Sequence, residues 1–326
     1  MENKNIHSVT MLRGIASLAV CLGHFLGTLH SEKIIQIGKF GGYGVPIFFA
    51  ITGFIIPYSL YQKKYQIKSY FKFLVKRITR LDPPYLLSII GIFLLSYVAQ
   101  LSPFSEGNPI EIFTEKTMLH LFYLVEIANQ DWLNPVFWTL AIEFQFYLLI
   151  GLLFPLLTIK KTVAQVPFFL AFCIIPFVLN DDRFVTDYFI MFLPGVLLFW
   201  FFTKQMGRNL FIGLMTILLV LGYLKAGMET PICAVISIGF ILLVKKPIKP
   251  LIFLGTISYS LYLIHTPFGT DGLINFLQNY VVTETGRMAL LFLCLPITLF
   301  AAWVFYRLIE KPSMKWSKKI SYSESS

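Results

Sequence analysis

Apolar residues gather along this chain into stretches that polar and charged clusters punctuate. A helix that spans a membrane needs about 20 mainly apolar residues, within a usable range of roughly 17–25. Ten stretches suit that frame: residues 8–29, 42–61, 84–101, 137–157, 163–180, 188–203, 210–224, 230–244, 251–267 and 288–308. The seventh to ninth are short or glycine-punctuated, so their edges are soft. The pattern predicts an all-α polytopic membrane protein, a bundle of about ten transmembrane helices. Residues 102–136 form the longest connection and are too short for a domain; within them, 118–128 reads as a short helix lying at the interface.

Composition agrees. By length, 326 residues would suit roughly two soluble domains. Yet 56% of the chain is hydrophobic, 17% aromatic and only 13% charged, with a mean hydropathy of +0.72. A soluble domain carries about 25% charge. Half that supply cannot clothe a globule of this size in water, so lipid covers much of the surface. Soluble enzyme, nucleic-acid binder and disordered protein are excluded together.

The net charge of +10 is a matter of placement. With the N-terminus in the cytoplasm, the inner loops hold Lys4, the seven cations from Lys63 to Arg80, Lys160, Lys161, Lys204, Arg208, Lys245, Lys246, Lys249 and the five from Arg307 to Lys319. The outer loops hold Lys33, Lys39, Lys116, Arg183, Lys225 and Arg287, and Arg13 lies inside the first span. Lys and Arg collect on the cytoplasmic side of membrane proteins, so this bias puts both termini there. The first span is interrupted by Arg13 and His24, which marks it as an uncleaved helix. Residues 313–326 read as a short polar cytoplasmic tail. The four cysteines, Cys21, Cys173, Cys233 and Cys294, fall inside apolar spans at spacings that suit neither zinc nor a disulfide framework. No metal is expected.

An ionisable group in the bilayer costs about 2.5–3.5 kcal/mol even on lenient insertion scales. Here the deep ones are few: Arg13, His24, Glu143 and, nearer an end, His265. Arg13 and His24 stand eleven residues apart, three turns plus about 20°, so they project from one face of the first helix roughly 16 Å apart. Ser17, Cys21 and Thr28 complete a small, polar stripe between and beyond them. His24 and Glu143 each lie roughly 8–9 Å below the outer boundary. A carboxylate and an imidazole at one depth could form a base–orienter pair, in which Glu143 fixes the tautomer and the other His24 nitrogen takes a proton. A proton relay in a transporter would use the same residue types.

On the cytoplasmic side, Lys76-Arg77-Ile78-Thr79-Arg80-Leu81-Asp82-Pro83-Pro84-Tyr85 runs cations up to a proline pair that is expected to open the third helix. Arg77 and Arg80 share a face if helical. Guanidiniums beside a helix N-terminus suit a phosphate-bearing ligand; ordinary contact with anionic headgroups is the plainer alternative. The glycines at 41, 42 and 44 permit close helix approach or a broken helix at membrane depth. Trp138 stands near the outer end of the fourth span, where an interfacial aromatic would also sit. Ser258, Tyr262 and His265 recur at helical spacing and give the ninth span a wet face.

Taken together, these stretches resemble the acyltransferase-3 family of integral-membrane acyltransferases, which modify cell-surface polysaccharides and glycolipids. The resemblance is carried by Arg13-x10-His24, the glycine-rich lead-in to the second span, and Arg77-x-x-Arg80 with Pro83 and Tyr85. It continues through Trp138-Thr139-Leu140-x-x-Glu143-x-x-x-Tyr147, Ser258-Tyr259-x-x-Tyr262-Leu263-x-His265-x-Pro267 and Glu310-Lys311-Pro312. Thr52 stands where the family more often shows Ser, and Leu81 where Ile is usual. The resemblance assigns residues 1–312 to the family's transmembrane domain. It implies a multi-pass protein of a bacterial-type cytoplasmic membrane, with an active site reached from both sides. The donor it implies is acyl-CoA, usually acetyl-CoA, entering from the cytoplasm; the acceptor is a saccharide or glycolipid hydroxyl on the outer side, and polysaccharide-assembly proteins are candidate partners. On that reading Arg77, Arg80 and Arg13, with Tyr85, hold the donor, and its pantetheine arm threads the Arg13–His24 stripe. His24 acts as general base with Glu143 as orienter, and Trp138, Ser258, Tyr262 and His265 are candidates for the acceptor. A proton-coupled transporter of a small acid or saccharide is the rival, with the broken helix near residues 41–46 at its substrate site.

Overall fold

The computed structural model describes residues 2–101, 115–159, 162–281 and 283–322, and the described chain is helical throughout. Residues 102–114 of the long outer connection, Lys160 and Lys161, and the last four residues of the tail lie outside the described residues. The helices are α1 (Glu2–Leu26), α2 (Glu32–Lys39), α3 (Gly44–Gln62), α4 (Tyr70–Gln100), α5 (Glu115–Leu121), α6 (Phe137–Leu157), α7 (Thr162–Val178) and α8 (Phe189–Phe202). They continue as α9 (Arg208–Ala226), α10 (Glu229–Leu243), α11 (Lys249–Thr256), α12 (Ser258–Ile264), α13 (Asn275–Gln278), α14 (Glu284–Phe305) and α15 (Lys311–Lys319).

Among the described residues, seven helical stretches are long and apolar enough to cross a membrane, with an eighth if α11 and the stretch Ser258–Gln278, bent 54° at a break, count as one span. Two further apolar helices, over Ala164–Val178 and Glu229–Leu243, are shorter. Lipid exposure is visible on α14. It buries Leu291, Cys294, Thr298 and Ala302 on one face yet leaves Phe292, Leu293 and Phe300 more than half exposed on another. Such a helix is apolar all round, the signature of a span rather than of a soluble surface helix.

Three expectations need correction. The proline pair does not open the third helix: α4 begins at Tyr70 and carries Pro83 and Pro84 in its interior. Hydropathy missed its first turns because they hold the cations, and the donors lost at proline fall beside a turn fastened by the Tyr259 hydroxyl, which donates to the Leu81 carbonyl at 2.9 Å. The stretch 251–267 is not one straight helix; it breaks at Ile257 and passes at His265 into a wider-wound segment, His265–Ile274. The interfacial helix is α5, which ends at Leu121 rather than Ala128.

Two apolar clusters form the interior. One joins the starts of α1 and α4 with α3, α6, α7, α8, α9 and α10; the other joins the later turns of α1 and α4 with α12, α14 and the start of α6. The first is drawn tight where α3 crosses α8. A Cβ at Gly53 would run into the Phe192 carbonyl, and one at Gly195 into the Ala50 carbonyl, so only glycine lets the backbones approach so closely. In the second, Gly41 rests on Gly23 of α1, which gives the glycine lead-in its role as a close contact. Val45, Phe48, Leu81 and Phe144 pack against both clusters and mark the seam between them.

Candidate active site

The seam is hollow. A cavity of about 270 Å³ runs along one face of α3, touching Val45, Phe48, Thr52, Ile55, Ser59 and Lys63 in turn. At 1.5 Å per residue that face is roughly 27 Å long, close to the thickness of a hydrocarbon core. The opposite walls come from α1 (Arg13), α4 (Lys76, Arg77, Arg80), α6 (Thr139, Glu143, Tyr147), α12 (Ser258, Tyr262) and α15 (Ser317, Lys318). Thr139, Glu143 and Tyr147 recur at intervals of four, so they share the inward face of α6. The C-terminal segment, expected as a polar tail, is here a helix against α4 whose Met314, Ser317 and Lys318 help to close the chamber's basic end. Ser69 and Lys76 hold it there through the carbonyls of Tyr322 and Ile320.

The charge balance of this chamber is lopsided. Arg13, Lys63, Lys76, Arg77, Arg80 and Lys318 line it, against the single carboxylate of Glu143. Among the described residues the ion pairs are Arg183–Asp181 and Lys225–Asp187, both elsewhere. Arg77 is 8% exposed, lies over the rings of Phe73 and Tyr147 and keeps a buried Nε with no hydrogen-bond partner. A buried donor left unpaired costs about 1–3 kcal/mol, more when charged. Cations gathered in such excess over carboxylates are what a polyphosphate ligand would neutralise, and guanidiniums bind phosphate with geometric specificity. Arg77, Arg80 and Arg13 therefore suit this end to a phosphate-bearing ligand.

A second cavity, of about 520 Å³, opens at the other end of α3. His24 lines it with Gly23, Gly27, Gly38, Gly41, Gly42, Lys39, Trp138 and Thr270. Val45 and Tyr262 line both cavities and so form the partition between them. The Tyr262 hydroxyl is fastened at 2.7 Å to the Thr139 hydroxyl, which in turn donates to the Val136 carbonyl at 2.9 Å. A third hollow, of about 290 Å³, adjoins through Trp138 and is walled by Tyr123, Glu126, Gln145, Asp182 and Tyr188.

The expected site residues therefore divide. Arg13, Arg77, Arg80, Glu143, Ser258 and Tyr262 meet in the basic chamber; His24, Trp138 and Tyr262 meet beyond the partition. Three expectations change. Glu143 does not pair with His24: its Oε1 accepts from the Thr52 hydroxyl at 2.7 Å and the Tyr147 hydroxyl at 2.5 Å, inside the basic chamber. Equal depth did not imply one cavity. Tyr85 stands apart from the donor chamber; it is 1% exposed, stacked on Tyr123, and donates to the His120 carbonyl at 3.0 Å, tying α4 to the connection before α6. The Arg13–His24 stripe is not the threading path, because Ser17 and Cys21 are fully buried and the hollow follows α3 instead. Sequence reasoning counted Lys63, Lys76 and Lys318 only as inner-loop charge, and passed Thr52 by as a variant position. Spacing along α3 and α4 could have placed Lys63 and Lys76.

His265 lines neither cavity. It is fully buried directly behind His24, with ring centroids 5.1 Å apart and planes tilted by 60°. Ser258 spends its hydroxyl on the Gly255 carbonyl at the helix break. Glu310 is also buried, accepting from the Ser260 hydroxyl at 2.6 Å and its backbone N–H at 3.2 Å, which fastens the C-terminal end of the chain to α12.

Comparison with known proteins bears on this geometry. The acyltransferase-3 family profile, an acyltransferase domain, matches residues 6–307. ORF330 of Acidianus two-tailed virus, whose name proposes an acetyltransferase, is 28% identical over 286 residues, covering 79% of this chain and 81% of that protein. O-acetyltransferase OatA of Staphylococcus aureus is 26% identical over 324 residues, covering 84% of this chain; the chain spans about half of OatA, 53% of its length. No solved structure matches the chain significantly. With a family profile matched over nearly the whole sequence and a bundle of apolar helices around a charged seam, the chain belongs to the acyltransferase-3 family of integral-membrane acyltransferases.

Proposed function

We propose that this protein moves an acyl group, acetyl by preference, from acyl-CoA at the basic end of the seam to a hydroxyl of a cell-surface or lipid-linked saccharide at the His24 end. The observation that carries the reading is the pair of cavities meeting at Val45 and Tyr262, one lined by six cations and the other by an imidazole. The names of the relatives support the acetyl group and transfer to oxygen. The Lys and Arg bias supports ten spans with both termini cytoplasmic, which sets the basic chamber toward the cytoplasm and His24 toward the outside.

In this mechanism Arg77, Arg80 and Arg13 hold the donor's phosphates, and Glu143, tied to Thr52 and Tyr147, keeps a fixed countercharge opposite them. His24 receives the proton of the acceptor hydroxyl as its oxygen attacks the thioester carbonyl. The C–S bond breaks, and the proton passes from His24 to the leaving sulfur. A general base at this step contributes about 10²–10⁴-fold. Trp138 offers the acceptor an apolar face at the mouth of the His24 cavity, and polysaccharide-assembly proteins would deliver the acceptor there.

The test uses purified full-length protein, labelled acetyl-CoA and a crude surface-glycan acceptor. Label in the glycan with release of CoA thiol, lost in His24→Ala, is the expected result. Absence of thiol release from the wild type, or turnover unchanged in His24→Ala, overturns the proposal.

A further inference from the structure

The displacement of Glu143 leaves His24 without the orienting group the sequence led us to expect. The structure supplies another. The Nδ1 of His265 lies 2.9 Å from the Tyr262 carbonyl and 3.1 Å from the Leu261 carbonyl. Carbonyl oxygens only accept, so Nδ1 carries the hydrogen and Nε2 carries a lone pair. That Nε2 is buried and has no hydrogen-bond partner among the described residues. Native interiors rarely leave such an atom unpaired, and the exceptions call for an explanation.

Everything around His265 is built to hold it still. The Asn134 amide donates to the Leu263 carbonyl at 3.1 Å, and the Thr266 hydroxyl donates to Asn134 Oδ1 at 2.6 Å. These bonds clamp the chain on both sides of the ring. His265 also begins the wider-wound segment His265–Ile274, a distortion that in helices frequently accompanies functional sites. His24 is the opposite: half-buried, against an open cavity, with no side-chain hydrogen bond among the described residues. One imidazole is locked and keeps a buried lone pair; the other lies 5.1 Å away, centroid to centroid, against an open cavity.

We propose that His265 is the positioning residue for His24: its Nε2 accepts a hydrogen bond from one ring N–H of His24, fixing the tautomer that presents the other nitrogen to the acceptor. This deepens the acyl-transfer reading and rests on it. During the reaction the free nitrogen of His24 takes the hydroxyl proton, His265 Nε2 steadies the resulting imidazolium, and the proton leaves with the thiol sulfur; His265 itself gains and loses no proton. Catalytic hydrogen bonds are often long in the unliganded protein and tighten when substrate is bound, which suits two rings already in contact.

The experiment compares His265→Asn with His265→Gln in full-length protein, beside wild type and His24→Ala. An Asn amide keeps the donor that Nδ1 gives to the carbonyls of Tyr262 and Leu261 but places nothing where Nε2 was; Gln reaches that place with an acceptor oxygen. Thiol release should fall about 100-fold in kcat for the Asn variant, with both KM values within about twofold of wild type, and the Gln variant should recover about tenfold. A structural role confined to the Nδ1 hydrogen bonds predicts the reverse order, because only Asn keeps that donor. Wild-type kcat in His265→Asn, Gln no better than Asn, or a loss confined to acceptor KM overturns the proposal. Histidine ¹⁵N chemical shifts of the wild-type protein need no variant at position 265; they should show one neutral tautomer for His24, assigned by its loss in His24→Ala, and a mixture of both tautomers also overturns it. Absence of thiol release from the wild type would instead remove the acyl-transfer reading itself, and activity retained in His24→Ala would remove His24 from the mechanism.

Discussion

The two ends of the hollow seam solve opposite problems. The basic chamber accumulates charge and leaves it unpaired: six cations face one carboxylate that is already engaged by Thr52 and Tyr147. The His24 cavity is lined by five glycines and holds a single imidazole beside a single lysine. On the proposed mechanism one end holds an anion by many contacts, and the other leaves room for the acceptor and lets one nitrogen act on it. That mechanism places affinity and chemistry in different rooms, so that each would be damaged without the other.

That separation gives a graded set of expectations. His24→Ala strikes the chemistry alone, so turnover should drop about 10³-fold while binding of CoA, followed by calorimetry, stays as in wild type; a parallel loss of CoA affinity would merge the two rooms into one. Replacing Arg77 and Arg80 together with Ala should do the converse. Hydrogen bonds to charged groups contribute about 1.5–3 kcal/mol each, so the donor KM should rise at least tenfold, by roughly 1.4 kcal/mol per decade, with a smaller change in kcat. Unchanged donor affinity would return both arginines to contact with anionic headgroups. Gly53→Ala touches neither room but forces α3 away from the Phe192 carbonyl. Overpacking of this kind costs about 1–3 kcal/mol, to be read as a lower Tm in detergent with donor and acceptor KM both disturbed, since α3 lines both cavities. Smallest of all, Tyr262→Phe deletes the bond to Thr139 but keeps the ring between the cavities. A loss of about 0.5–1.5 kcal/mol and a few-fold fall in kcat should follow, and a collapse of activity would give the hydroxyl a part in the chemistry.

How much of this was legible beforehand differs between the rooms for a physical reason. Apolar runs report burial in lipid directly, so the fourth span was placed at its observed limits, Phe137–Leu157. The charges of the basic chamber were equally visible, because an arginine in or beside a span is rare enough to mean something. Partnership was not visible. Glu143 and His24 share a depth, but their side chains leave α6 and α1 toward different cavities, and depth along a helix says nothing of azimuth around the bundle. His265 could be seen as polar on a helical stripe, yet its position behind His24 depends on the 54° bend at Ile257, which no periodicity announces. The Pro83–Pro84 pair misled for a related reason: propensity marks it as a boundary, whereas the turns before it are helical and carry cations of the basic chamber.

The partition of Val45 and Tyr262 has a consequence for the cell rather than for catalysis. A tunnel open along the whole of α3 would be a leak, and water threading it would discharge the voltage and proton gradient that the membrane exists to maintain. On the proposed reaction, an aromatic ring pinned by its own hydroxyl between the two cavities would let an acyl group pass from one to the other while ions stay where they are. A protein working in that way would serve both compartments without short-circuiting them.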